Sequence, residues 1–478
     1  MGDNYGFLKI KRETFKIRPV CERIKDYNEV VVLQTEEHTK EQALRCMNCG
    51  TPFCNWGCPL GNYIPEWNDH ANRGRWEGAF KLLNATNVLP EITGRVCPAP
   101  CEYACVLGIN DNPVTIRENE LAIIEKAYKE GYIKPVKNIK RTGKKVAVIG
   151  SGPSGLSAAA FLNYSGHYVT VFERDEKVGG FLRYGIPDFK LDKKVIDRRI
   201  NLFIEEGIKF KTNTNIGVDY PVSQLLNEYD AIILAIGCRQ KRDLNIPGRN
   251  LSGIYQAVDY LIQANKIVSG EKIEGEIISA KDKNVVVIGG GDTGADCVGV
   301  ANRQGAKCVV QIEIMPEPPK KRTDDFPWPK YPFIYKTSTS HEEGKVERKW
   351  SIMTKEFIGK NGKIKKIKCA RCEFIKSPKP EFKEIKGTEF ELPADLVILS
   401  MGFTGPEKQL INNLDLKLDN RGNIARDENY LTSTNKVFAI GDAARGPSLI
   451  VWAIAEGRKV AFSVNDYLLN LTKSKNNI

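Results

Sequence analysis

A glycine pattern after a short apolar segment constrains the fold of this chain more than any other feature. Residues 146–149 read Val-Ala-Val-Ile, and three glycines follow at the spacing Gly-x-Gly-x-x-Gly: Gly150, Gly152 and Gly155. An alanine-rich segment typical of a helix runs to about Tyr164, and Tyr168–Phe172 has the composition of a second strand. The order predicts a βαβ unit that binds a dinucleotide.

The residue types in this unit suit phosphate and ribose binding. Gly150 permits a tight turn, Gly152 lets the backbone approach a pyrophosphate, and Gly155 lets helix and strand pack closely. The helix N-terminus, with Pro153 and Ser154, offers N–H groups to the phosphates. Glu173, about 20 residues on, is placed to accept a hydrogen bond from a ribose hydroxyl. A chance glycine pattern is the weaker alternative, because strand, helix and acid all occur in order.

The same pattern returns in the second half of the chain. Lys283–Gly294 contains an apolar strand and the glycines Gly289, Gly291 and Gly294, and Cys308–Ile314 is the expected return strand. We therefore predict a second nucleotide-binding unit, with a structural copy that binds nothing as the alternative. Two further apolar strands each end in glycine, Ala231–Gly237 and Ala394–Gly402.

Other segments carry weaker predictions. Helices are expected at Thr39–Leu44, with Thr39 as its N-cap, at Pro65–Leu83, at Arg117–Lys129 and at Asp192–Glu206. Pro316–Pro332 predicts an irregular loop, and residues 345–393 predict antiparallel strands. Val437–Gly457 predicts a strand, a turn and a helix. Asp442, beside Gly441, is suited to form a hydrogen bond with a polyol hydroxyl. The tail Lys473–Ile478 is expected to be disordered.

Charge and composition exclude several classes of protein. The 478 residues carry a net charge of +12, but the lysines are dispersed and no nucleic-acid motif accompanies them. We interpret the positive charge as lysine-rich faces exposed to solvent, and docking to an acidic partner protein is the alternative interpretation. No run of 18 apolar residues and no signal peptide is found, so we expect a cytoplasmic protein without membrane spans.

Seven of the 13 cysteines fall between Cys46 and Cys105. They form the motifs C-x2-C-x4-C-x3-C-P and C-P-x2-C-x3-C, in which closely spaced thiolates suit iron–sulfur ligation. Zinc and disulfides are the alternatives. Seven thiolates are one short of two four-ligand clusters, and Glu120 is the candidate eighth ligand. Cys369 and Cys372 are interpreted as two strand cysteines rather than a redox or zinc pair.

The chain resembles the small (β) subunit of glutamate synthase along almost its whole length. The likeness is strongest in GFLKIKRE, RCMNCGTPFCNWGCPLGNYIPEWN and RVCPAPCEYACVLGINDNPVTIRENE, followed by the two nucleotide folds and a late GDAA. The same module occurs in the N-terminal half of dihydropyrimidine dehydrogenase and in electron-bifurcating ferredoxin:NADP oxidoreductases.

The resemblance implies an α/β fold with an N-terminal α-helical iron–sulfur domain and two Rossmann-like domains, of which the FAD domain is discontinuous. The implied boundaries are 1–143 for the iron–sulfur domain, 144–250 and 400–478 for the FAD domain, and 251–399 for the NAD(P)H domain.

The resemblance also implies two 4Fe–4S clusters, FAD and a nicotinamide cofactor. One cluster would be bound by Cys46, Cys49, Cys97 and Glu120, and the other by Cys54, Cys58, Cys101 and Cys105. FAD would be held by Gly150, Gly152, Pro153, Ser154, Gly155, Glu173, Gly180, Phe181, Lys190, Gly441, Asp442, Ser448 and Leu449. The nicotinamide cofactor would be held by Gly289, Gly291, Asp292, Thr293, Gly294, Glu313 and Gly402.

The implied reaction is hydride transfer from NAD(P)H to FAD, followed by passage of single electrons through the clusters. A large partner subunit, with a glutaminase and an FMN barrel, would use them to make glutamate from glutamine and 2-oxoglutarate. No side chain is expected to act as an acid or base. Electron delivery to ferredoxin or a pyrimidine is the alternative reaction, and a module that only docks a partner is the alternative without catalysis.

Glu313 favours NADH over NADPH. It lies at the end of the second return strand, where a carboxylate accepts hydrogen bonds from ribose hydroxyls and repels a 2′-phosphate. Lys320, Lys321 and Arg322 follow closely and are the candidates for binding such a phosphate if NADPH is used instead.

Overall fold

The computed structural model describes residues 5–376 and 380–475. It has the α/β fold expected from the sequence, with a helical N-terminal region followed by two parallel sheets, each covered by helices. Among the described residues, no helix is long and apolar enough to cross a membrane.

The N-terminal region consists of short helices and one small two-stranded sheet, Lys16–Ile17 with Val31–Val32. The helices are Gly6–Lys9, Val20–Arg23, Glu36–Leu44, Phe53–Gly57, Ile64–Asn72, Trp76–Asn84, Pro90–Val96, Pro100–Tyr103, the 3₁₀ turn Val106–Ile109, and Ile116–Lys129.

Two helix predictions in this region are wrong in detail. The helix that leads to Cys46 begins at Glu36, and its N-cap is Thr35, whose side chain accepts from the His38 N–H at 3.2 Å. Thr39 lies inside that helix, so it is not the cap. The expected helix Pro65–Leu83 is two helices, because the chain turns at residues 73–75.

The first parallel sheet has the strand order Val437–Ala439, Ala231–Leu234, Lys145–Ile149, Tyr168–Phe172, Lys209–Lys211. Its edge strand comes from near the C-terminus, so the sheet is built from two distant parts of the chain. The helices of this part are Pro153–Tyr164, Phe181–Tyr184, Lys193–Glu205, Val222–Glu228, Lys408–Asn413, Asp442–Arg445 and Ile450–Lys475. The last of these covers residues 473–475 of the tail that was expected to be disordered; residues 476–478 lie outside the described residues.

The second parallel sheet has the order Val346–Lys349, Cys308–Ile312, Asn284–Ile288, Leu396–Leu399, Ile254–Gln256, with the helices Ala257–Val268 and Asp292–Arg303. Val346–Lys349 pairs in parallel with Cys308–Ile312, which corrects the expectation that all strands in 345–393 are antiparallel. The antiparallel strands are Ile352–Lys360, Lys363–Ile375, Glu381–Glu384 and Phe390–Pro393.

Two connections matter for the site. A short ribbon, Gln240–Lys241 with Phe403–Gly405, joins the two sheets where the chain crosses between them. The helical region and the first sheet share one hydrophobic core. A buried ion pair crosses their boundary, with Arg199 Nε 2.6 Å from the Glu91 carboxylate. The helical region is therefore packed firmly against the first sheet.

Candidate cofactor-binding site

The first glycine loop has the geometry that phosphate binding requires. Gly150 has φ +101°, and a Cβ there would lie 2.4 Å from the Ala235 carbonyl oxygen. Gly152 caps the helix Pro153–Tyr164 and faces open space, whereas a Cβ on Gly155 would meet the Gly150 carbonyl at 2.0 Å. Strand, turn and helix therefore pack without room for side chains, and the helix N-terminus stays accessible.

Glu173 closes this loop from the second strand. Its carboxylate accepts from the Ser151 backbone N–H at 3.1 Å, from the Ser151 hydroxyl, and from the Asp175 N–H at 3.0 Å. A carboxylate has about four lone-pair positions, so it can still accept from a ribose hydroxyl.

A cavity of about 1330 Å³ begins at this loop and extends into the helical region. It is larger than the pockets of about 300–1,000 Å³ typical of small ligands. Eleven of the predicted FAD residues line it: Gly150, Gly152, Pro153, Ser154, Glu173, Gly180, Phe181, Lys190, Asp442, Ser448 and Leu449. Gly155 and Gly441 do not line it, and they pack against Gly150 and Ser154, which do. The volume and the lining fit a dinucleotide cofactor such as FAD.

Asp442 lines this cavity on a fixed turn. Its Oδ1 accepts from the Ser448 N–H at 3.2 Å and from the Ser448 hydroxyl at 3.0 Å. Burial raises the pKa of Asp442 to about 6. Behind it, the Glu456 carboxylate accepts from the Gly441 N–H at 2.9 Å and from Arg426 Nη2 at 2.7 Å.

The second glycine loop repeats the first. Gly291 caps the helix Asp292–Arg303, and Glu313 accepts from the Gly290 N–H at 2.6 Å and from the Met315 N–H at 2.9 Å. Asp292 and Thr293 line the large cavity. The remaining predicted residues are Gly289 and Gly294, which pack together beneath the loop, and Gly402, which faces open space after the strand Leu396–Leu399.

The seven cysteines and Glu120 form two groups of four. All 13 cysteines are free, which excludes disulfides in this structure. The first group, called here the outer group, consists of Cys46, Cys49, Cys54 and Cys105, which line one small cavity. The second, called the inner group, consists of Cys58, Cys97, Cys101 and Glu120, whose charges act on one another. This grouping corrects the one implied by the resemblance, which exchanged members between the two sets.

The outer group has apolar walls. Burial raises the pKa of the Cys46 thiol to about 12, and the neighbouring Cys105 and Cys49 thiols add to the rise. Met47, Pro52 and Leu107 are among the wall residues. Thiols in such a place ionise only beside a cation, as iron–sulfur ligation provides.

The inner group lies deeper and contains a carboxylate. Burial raises the pKa of Glu120 to about 7, and its Oε1 accepts from Asn87 Nδ2 at 3.0 Å and from the Thr93 hydroxyl. Burial also raises the pKa of Cys101 well above its usual value, and Cys58, Cys97 and Glu120 contribute to that rise. Cys97 borders the large cavity, so the inner group adjoins the site that fits FAD.

The donor set of the outer group suits an iron–sulfur cluster. Four thiols line its cavity, and thiolates are the ligands that such clusters need.

Two family models and several known proteins match this chain. The family model of pyridine nucleotide-disulphide oxidoreductases matches residues 144–457, and that of dihydropyrimidine dehydrogenase domain II with a 4Fe–4S cluster matches residues 23–132. The glutamate synthase (NADPH) small chain of Mycobacterium tuberculosis is 50% identical over 475 residues, which cover 98% of this chain and 96% of that protein. The chain belongs to the glutamate synthase small-chain family.

Two further similarities are found, one to a longer protein and one to a solved structure with a related fold. Glutamate synthase (NADH) of Schizosaccharomyces pombe is 46% identical over 474 residues, covering 96% of this chain and 22% of that protein. FprA of M. tuberculosis, solved in complex with NADPH, has a TM-score of 0.56 at 20% identity, covering 70% of this chain and 86% of that one. As a member of the glutamate synthase small-chain family, the chain is an NAD(P)H-dependent oxidoreductase, and the resemblance seen in its sequence is confirmed.

The sequence analysis missed the residues that hold the predicted site residues in place. Asn87 and Thr93 bind Glu120, Glu456 holds the Gly441 turn, and Arg458 contacts the segment after Cys58. The charged pair around a glycine in AIAEGRKVA, within an otherwise apolar helix, was the available sequence signal for Glu456 and Arg458.

Proposed function

We propose that this chain is the electron-input subunit of a glutamate synthase. NAD(P)H would be oxidised at FAD, and the electrons would leave through two 4Fe–4S clusters to a large partner subunit. That partner would carry a glutaminase and an FMN barrel and make glutamate from glutamine and 2-oxoglutarate. The observation that carries the proposal is the single cavity bordered by the first glycine loop, by Asp292 and by Cys97.

In this proposal the three parts of the chain have separate tasks. Residues 144–250 and 400–478 would bind FAD, 251–399 would bind the nicotinamide cofactor, and 1–143 would bind the clusters. FAD supplies the step from a two-electron to a one-electron carrier. The protein binds and aligns the groups, and no side chain needs to move a proton for the proposal to hold.

The positions of the two cysteine groups suggest an order. The inner group adjoins the large cavity through Cys97, whereas Cys46 and Cys49 of the outer group are partly exposed. The inner group would therefore receive electrons from FAD, and the outer group would pass them to the partner.

NADH is the favoured substrate. The Glu313 carboxylate accepts from two backbone N–H groups directly after the return strand, as Glu173 does in the first unit, and we assign it to the adenine ribose. Arg322, one of the candidates for binding a 2′-phosphate, donates instead to the Phe326 carbonyl at 2.9 Å and the Tyr103 carbonyl at 3.0 Å. A higher kcat/KM for NADPH than for NADH would contradict this preference.

The proposed function is tested with the purified chain under anaerobic conditions. We expect NADH to bleach the flavin absorbance and to reduce an artificial acceptor, and no glutamate to form from glutamine and 2-oxoglutarate. Flavin that stays oxidised, or glutamate made by this chain alone, would contradict the proposal. Co-purification of ferredoxin instead of a glutaminase-containing subunit would contradict the proposed partner.

A further inference from the structure

One turn of the C-terminal helix Ile450–Lys475 contacts three separate parts of the molecule. Glu456, which is 4% exposed, accepts from the Gly441 N–H at 2.9 Å. The same carboxylate binds Arg426, whose Nη1 also donates to the Ala439 carbonyl at 2.9 Å. Glu456 therefore ties the helix to the turn that presents Asp442 to the large cavity.

The next residue, Gly457, fixes the helix against the first glycine loop. A Cβ at this position would lie 2.4 Å from the Ser154 carbonyl oxygen and 2.7 Å from the Ser157 Cβ. One turn earlier, the Ser157 hydroxyl donates to the Ile454 carbonyl at 2.8 Å. The helices Pro153–Tyr164 and Ile450–Lys475 pack too closely here for any side chain at residue 457. They therefore have little freedom to shift relative to each other.

The third residue, Arg458, reaches into the helical region. Its Nη2 donates to the Leu60 carbonyl at 2.8 Å, and its Nη1 donates to the Thr86 carbonyl at 3.0 Å. Leu60 lies two residues after Cys58, and Thr86 directly precedes Asn87. A single guanidinium thus joins the segment that carries Cys58 to the segment whose Asn87 contacts Glu120.

Side chains on these two segments continue the contact to the ligands. The Thr86 hydroxyl donates to Asn62 Oδ1 at 2.5 Å, and Asn62 Nδ2 lies 3.7 Å from the Cys58 sulfur. Asn87 Nδ2 donates to Glu120 Oε1 at 3.0 Å. Both ends of this small network meet the inner group, one at a thiol and the other at the carboxylate.

Arg458 also brings a positive charge to the segment that carries Cys58, because its guanidinium donates to the Leu60 carbonyl two residues further on. Arginine stays protonated in proteins. In a partly buried site a nearby positive charge stabilises added negative charge more strongly than it would in water. A group held by Cys58 would therefore accept an electron more readily with Arg458 present.

We propose that Arg458 is a positioning residue for electron transfer between the flavin site and the inner group, and that its charge raises the reduction potential of the cluster held there. The helix turn Glu456–Arg458 would hold the flavin-side turn, the phosphate loop and the inner group in one rigid unit. This inference rests on the proposed function, because it presumes a cluster at the inner group.

The test is a potentiometric titration of the full-length protein followed by electron paramagnetic resonance. In Arg458→Gln, we expect the ratio of reduced to oxidised inner cluster at a fixed potential to fall about tenfold, equal to 59 mV for one electron. Arg458→Lys keeps the charge and should retain a potential near that of the unsubstituted protein. The matched control is Lys459→Gln, which removes the same charge from the adjacent exposed residue and should leave the potential unchanged.

Three outcomes would overturn the inference. They are an unchanged potential in Arg458→Gln, an equal shift in Lys459→Gln, or a shift in Arg458→Lys as large as that in Arg458→Gln. If Arg458→Gln does not incorporate iron, Arg458→Lys decides, because a lowered potential with the charge retained contradicts the proposal and an unchanged one supports it. Unsubstituted protein without iron would refute the proposed function itself, and this inference with it.

Discussion

The inner and outer cysteine groups have the same number of members but different surroundings. The inner group includes a carboxylate, and it is contacted by Asn87 and Asn62 and faces the charge of Arg458. The residues that line the outer cavity include no charged side chain within the described chain, and Cys46 and Cys49 are partly exposed. The difference teaches that polar contacts surround the inner group, whereas the outer group lies closer to solvent. In the proposed function, this difference suits an inner group that receives electrons from a flavin and an outer group that meets a partner.

Removing a thiol ligand from the inner group should have the largest effect on iron and flavin content. We expect Cys101→Ser to lose the iron of the inner group and to weaken FAD binding, because ligation contributes to folding and Cys97 borders the large cavity. Iron and flavin content of the purified variant are the measurements. Full iron content with unchanged thermal unfolding would contradict the ligand assignment.

Removing a ligand from the outer group should cost less. Cys46→Ser is expected to lose only the iron of the outer group and to keep FAD, because the outer cavity does not border the flavin site. The iron-to-flavin ratio, compared with that of Cys101→Ser, separates the two groups. Equal loss of flavin in both variants would show that the groups are not independent.

The ion pair at the boundary between the helical region and the first sheet should contribute several kcal/mol to the free energy of unfolding. Arg199→Met leaves the Glu91 carboxylate buried and unpaired, which costs about 3–5 kcal/mol of unfolding free energy. Glu91 lies on the helix that leads to Cys97, so the inner group should lose iron more readily than the outer group. Denaturant unfolding and chelator-dependent iron release measure both effects, and equal release rates from the two groups would contradict the comparison.

The smallest effect on iron content is expected for Glu120→Gln in the inner group. Glu120→Gln keeps a side-chain oxygen that can accept from Asn87 and Thr93, so iron content should stay unchanged. Glu120→Ala removes that oxygen and should reduce the iron of the inner group. If Glu120→Ala retains full iron, Glu120 is not a ligand.

The sequence predicts the local units of this molecule better than their assembly. The glycine spacing is sufficient for both nucleotide loops, because strand, turn and helix are neighbours in the chain. The grouping of the cysteines depends on how helices 64–72, 90–96 and 116–129 pack, and cysteine spacing carries no information about that packing. The resemblance implies that Cys105 and Cys101 share a cluster, whereas in the structure Cys105 lines the outer cavity and Cys101 belongs to the inner group.

Val346–Lys349 and Arg458 show the same limit. The strand resembles its antiparallel neighbours in composition, and only its pairing with Cys308–Ile312 reveals that it completes the second sheet. Arg458 lies 398 residues from the carbonyl of Leu60 that it binds, so sequence distance hides the contact.

The order of electron arrival tests the central claim most directly. Unsubstituted protein, Cys46→Ser and Cys101→Ser are mixed with NADH anaerobically, frozen at short times and examined by electron paramagnetic resonance. We expect the inner cluster to be reduced before the outer one in the unsubstituted protein, and to be reduced normally in Cys46→Ser. In Cys101→Ser the outer cluster should stay oxidised while the remaining bound flavin is reduced. Rapid reduction of the outer cluster in Cys101→Ser would contradict the account.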